Sequence, residues 1–97
     1  MRLRYTLPAL ADLNEILDYI SENSPQGAHR VQLRLQRLID LLLVYPYIGR
    51  RTSDPDVRRI ATTPYPYLVF YEIAEDEVII HAIRHAARHP STMPGAS

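Results

Sequence analysis

Leu10, Leu13, Ile16, Leu17 and Ile20 recur every three or four residues, with Asp12, Glu15, Asp18 and Glu22 on the opposite side. That spacing predicts an amphipathic helix from Pro8, with Thr6 or Leu7 as its cap, to about Asn23. Ser24-Pro25 is a cap followed by a proline at a first helical position, so a second helix begins at once. Its apolar face is Ala28, Val31, Leu35, Leu38, Ile39 and Leu42, beside a stripe of Arg30, Arg34 and Arg37. Pro46 ends it after Tyr45. So short a joint makes the two helices antiparallel neighbours.

Before the helices, Arg2 to Leu7 alternates polar and apolar, with Leu3, Tyr5 and Leu7 on one face, the period of a strand. After them, a Pro-, Gly- and Asp-marked loop covers 46 to 56. Val57 to Thr62 reads as a brief strand with Arg58 and Arg59 on opposite faces. Thr63-Pro64-Tyr65-Pro66 is a turn, and Tyr67 to Ile73 an aromatic and β-branched strand. Ala74 to Glu77 is an acidic turn, and Val78 to Arg84 a final strand apolar enough to be central in a sheet. The predicted order is βααβββ, an α+β fold with a helical hairpin on one face of a small, antiparallel-dominated sheet and the other face partly open. A bulge in the final strand would change the face on which His85 lies. Residues 1–90 are expected to form one domain, and 91–97 a tail with little ordering signal.

Composition narrows the chemistry. With no cysteine among 97 residues, disulfides and thiolate catalysis are excluded. The chain shows no apolar leader and no run long enough for a membrane span, so a cytoplasmic protein is expected. Formal net charge is zero, yet residues 8–23 carry four acids and no base, whereas residues 24–51 carry five Arg against Asp40 alone. Past residue 77 come Arg84, Arg88 and three His with no acid. All eleven basic side chains are Arg, which pairs bidentately with carboxylate or phosphate.

His81, His85 and His89 recur every four residues, which on a helix would suggest a metal site. His81 falls in a predicted strand with no Cys or nearby Asp, so neither metal nor cofactor is expected. Of seven Tyr, positions 5, 19, 45 and 71 suit the core or its boundary, whereas Tyr47, Tyr65 and Tyr67 stand in loops or at a strand start, free for a partner.

The βααβββ order, Tyr47-Ile48-Gly49-Arg50, the run from Arg59-Ile60 through Pro66-Tyr67-Leu68-Val69-Phe70-Tyr71, and Ile83-x-His85-x-x-Arg88-x-Pro90 together resemble the RelE/ParE superfamily over residues 3 to 90. These are bacterial toxins of type II toxin–antitoxin modules. The resemblance implies a cognate antitoxin that covers the Arg-bearing sheet face, and one of two activities. RelE-like members cleave mRNA in the ribosomal A site with basic residues on the open sheet face. ParE-like members inhibit DNA gyrase. Arg59 and Arg88 match basic positions of the nuclease pattern, but its strand Arg falls at Tyr67 or Leu68, and no Tyr follows Tyr71.

The expectation is therefore a ParE-like toxin directed at gyrase, with the ribosome and its mRNA as the alternative target and a non-catalytic binding module as a third reading. Whether the chain is an enzyme follows the branch. For a nuclease, His85 would be acid or base, with Arg59, Arg84 and Arg88 as phosphate clamps. Arg58, Arg59, Tyr67, Arg84 and Arg88 are the expected contacts to target or antitoxin.

Overall fold

A computed structural model describes residues 1–87. Arg88 and the rest of the C-terminal segment, including the expected tail at 91–97, lie outside the described residues. The elements are β1 (Arg2–Tyr5), α1 (Leu7–Asn23), α2 (Pro25–Val44), a 3-10 turn (Pro46–Ile48), β2 (Arg50–Arg51), β3 (Val57–Ala61), β4 (Tyr67–Ala74) and β5 (Glu77–His85). The strands form one sheet in the order β1-β5-β4-β3-β2. Among the described strands only β1 runs parallel to its neighbour, β5; the other pairs are antiparallel. The α+β reading holds, with β2 as an addition the residue pattern did not show.

The helical hairpin turns on one residue. Ser24 is extended, its N–H donates to Ile20 O at 2.8 Å, and its hydroxyl accepts from Gly27 N at 2.9 Å. It closes α1 and caps α2 together, which is why no loop separates the helices. Ser24→Ala is expected to cost about 1 kcal/mol, measured as a lower urea midpoint, with Ser24→Asp restoring most of it.

All six residues expected on the inner face of α2 are buried. Val31, Leu35, Leu38 and Leu42 pack against Tyr67, Val69 and Tyr71 of β4 and Val78, Ile80 and Ile83 of β5. α1 departs from its expected pattern: Leu10 is 40% exposed, and Ala9 is the residue fully buried. Thr6 N donates to Ile80 O and Thr6 Oγ1 to His81 O, so α1 begins hard against β5 and a methyl is what its first turn buries there.

β5 carries a bulge. Phe70 stands opposite Ala82 and Tyr71 opposite Ile80, which leaves His81 as the extra residue. Alternation resets across it, so Val78 and Ile80 before the bulge and Ile83 and His85 after it all face the helices. Among the described residues no helix is long and apolar enough to cross a membrane.

Candidate functional site

The open face follows from the register. One cross-strand row is Arg50, Arg59, Phe70 and Ala82; the rows beside it hold Leu68 with Arg84, and Glu72 with Ile79 and Arg4. The bulge adds His81, whose Nε2 lies 2.7 Å from Glu72 Oε1. Arg4 pairs with Glu77 at 3.1 Å in an exposed bridge, worth little to stability. This is a cationic face with one imidazole–carboxylate pair in it.

His85 is not part of it. It stands opposite Tyr67, and the two rings meet edge to face at 5.6 Å on the helix side of the sheet. Its Nδ1 accepts from Ala87 N at 3.2 Å. With Asp12, Glu15, Ile16 and Tyr19 of α1, the two rings border a groove of about 310 Å³. His85 and Arg59, expected in one constellation, occupy opposite faces of the sheet. His81 and His85 are separated in the same way, so the four-residue spacing does not bring them together, and His89 lies outside the described residues.

The other expected contacts divide. Arg58 faces the helix side and donates from Nη1 to Gly49 O at 2.9 Å and Tyr47 O at 3.3 Å, with its guanidinium 5.1 Å from the centre of the Tyr47 ring. It secures the turn after α2. Tyr67, expected to be free for a partner, is instead in the core at 9% exposure. Tyr19 and Tyr45, expected at the core boundary, are exposed. Arg84 belongs to the open face by alternation, but reaches round the edge of β5 to Asp12 Oδ1 at 3.4 Å, with its Nε buried and lacking a hydrogen-bond partner among the described residues.

Sequence reasoning missed two anchors. Asp12 Oδ2 accepts from Ile83 N at 3.0 Å, and Tyr71 Oη donates to Pro46 O at 2.7 Å while accepting from Gly49 N at 2.9 Å. Burial raises the Tyr71 phenol above its usual pKa, partly offset by the Gly49 N–H and the charge of Arg58. Burial raises Tyr5 in the same direction. The available signals were a lone aromatic hydroxyl in an apolar strand and a Pro-x-x-Gly turn; neither names its partner.

A two-helix hairpin on a five-stranded mixed sheet, with a cationic open face, defines a small α+β toxin of the RelE/ParE class. Residues 3–90 match the family described as the ParE toxin of the type II toxin–antitoxin system, parDE. Toxin RelE2 of Caulobacter vibrioides is 44% identical over 84 residues, 87% of this chain and 93% of that protein. The Y4kP protein of Sinorhizobium fredii is 36% identical over 85 residues, 88% of each. A solved chain of the chromosomal ParDE toxin–antitoxin system from P. aeruginosa superposes with a TM-score of 0.75 at 25% identity, covering 88% of this chain and 95% of that one. This chain belongs to the ParE toxin family of type II toxin–antitoxin systems.

Proposed function

We propose that this toxin arrests growth by acting on DNA gyrase and that a cognate antitoxin holds it inactive. One observation carries the choice of target: among the described residues, the nuclease candidates His85 and Arg59 are not assembled. Cleavage of RNA through its 2′-hydroxyl needs a base, an acid and a cation around one phosphate, within about 3 Å of the atoms they serve. His85 and Arg59 are on opposite sides of the sheet, and neither Tyr67 nor Leu68, the two positions to which the strand Arg of the nuclease pattern corresponds, is basic. A surface that binds without chemistry needs no such convergence.

The ribosomal reading keeps one point in its favour, the His81–Glu72 pair on the same face as Arg59. A paired assay on the purified protein separates the two. Gyrase supercoiling should be inhibited, and mRNA in a translating extract should stay intact. Codon-positioned cleavage that disappears in His81→Ala and Arg59→Ala, with gyrase unaffected, would reverse the assignment.

A further inference from the structure

The groove of about 310 Å³ between α1 and the end of β5 lies on the helix side of the sheet, away from the cationic open face. That volume is at the lower end of small-ligand sites, enough for one flat ring system. Helical spacing builds one wall: Asp12, Glu15, Ile16 and Tyr19 fall at i, i+3, i+4 and i+7, on the face of α1 turned to β5. The strand ends build the other, where the rings of Tyr67 and His85 meet edge to face at 5.6 Å beside Ile83.

The polar groups of the groove form two sets. Asp12 is already engaged, one oxygen with Ile83 N and the other with Arg84. Glu15 is exposed and has no partner among the described residues, so its carboxylate is ready to accept. His85 and Arg84 donate. Because Nδ1 of His85 accepts from Ala87 N, the neutral ring carries its hydrogen on Nε2, which has no partner among the described residues. The Arg84 guanidinium makes one long contact, 3.4 Å to Asp12, and its side chain is 42% exposed. Aromatic rings, one unpaired carboxylate and two sources of N–H donors in one groove match a flat heterocycle with donors on one edge and acceptors on the next.

We propose that this groove binds the guanine base of a nucleoside or mononucleotide. Guanine offers two parallel donors, N1–H and N2–H, which the Glu15 carboxylate accepts together, while O6 and N7 beside them accept from His85 and Arg84. Tyr19, 58% exposed, supplies a ring for stacking. An organic cation would satisfy Glu15 but set positive charge against both donors, and adenine would set its N1 lone pair against the carboxylate. The site is independent of the gyrase and antitoxin readings.

The test is calorimetry on the full chain with guanosine, which has no phosphate for the Arg-bearing face to hold. Binding is expected with Kd on the order of 10–100 μM, and roughly tenfold or more weaker for inosine, which lacks the N2 amine, and for adenosine. Glu15→Gln, at an exposed helix position, should leave circular dichroism and the melting curve of the free chain unchanged. It should also weaken guanosine roughly tenfold or more and abolish the preference over inosine. Tyr19→Ala should weaken guanosine and inosine alike, because stacking does not read the N2 amine. Absence of guanosine binding at millimolar concentration, equal binding of adenosine, or guanosine binding that Glu15→Gln leaves unchanged would overturn the assignment. Tighter binding of agmatine than of guanosine would overturn it in favour of a cation site.

Discussion

Gly49→Ala should be the most damaging single methyl added to this chain, costing about 2–4 kcal/mol and lowering the urea midpoint without changing the slope. A Cβ at residue 49 would stand 2.3 Å from Tyr71 Oη, 2.7 Å from its Cε1 and 2.9 Å from its Cζ. The ring has nowhere to go: Tyr71 is fully buried among Val69, Ile80 and Leu42 in the core, and its hydroxyl is bonded to both Pro46 and Gly49. Either the turn lifts from the sheet and loses two hydrogen bonds, or the ring shifts off its packed position. Tyr71→Phe keeps the packing and removes the hydroxyl, leaving the Gly49 N–H without its acceptor, at about 1–3 kcal/mol. The double variant should cost less than the sum, because the nearest clashing atom has gone with the hydroxyl. A Gly49→Ala midpoint within error of wild type would show that the turn is not seated on Tyr71.

That turn also shows where the sequence stops being readable. The helices were legible because their signals are local: apolar spacing along α2 named all six of its buried residues, and Ser24-Pro25 marked the joint to the residue. The strands β3, β4 and β5 were legible for the same reason, from β-branched and aromatic runs between turn residues. β2 was not, because two Arg become a strand only when the turn before them is fixed by a Tyr hydroxyl 22 residues away. Tyr67 and Tyr19 exchanged their expected environments because burial depends on which elements cover a position, and a strand start beside Pro says nothing of α1 above it. The site was the least legible part. Arg59 and His85 both carry suitable chemistry, and their separation is decided by strand register and by the bulge at His81, neither of which leaves a local trace.

Asp12→Ala carries the second large effect, about 1–3 kcal/mol, with a signature that distinguishes it from lost packing. β5 has nine residues and β1 only four, so among the described residues the outer edge of β5 beyond Ile80 has no strand beside it. α1 and its N-cap supply the missing partners: Thr6 Oγ1 donates to His81 O, and Asp12 Oδ2 accepts from the N–H of Ile83, a residue 2% exposed. Alanine leaves that N–H without an acceptor and takes from Arg84, whose Nε already lacks one among the described residues, its carboxylate partner. Asn keeps an acceptor oxygen without the charge, so Asp12→Asn should recover most of the loss if edge capping is the main contribution. A cost equal to that of alanine would assign the effect to the Arg84 pair instead. Hydrogen exchange gives the local readout: the Ile83 amide should lose protection in Asp12→Ala by more than the global destabilisation explains, and regain it in Asp12→Asn. An uncapped N–H on a sheet edge is also a template for pairing with another chain. Asp12→Ala should therefore self-associate at concentrations where wild type does not, so the carboxylate that ties α1 to β5 also keeps this edge from acting as a strand acceptor.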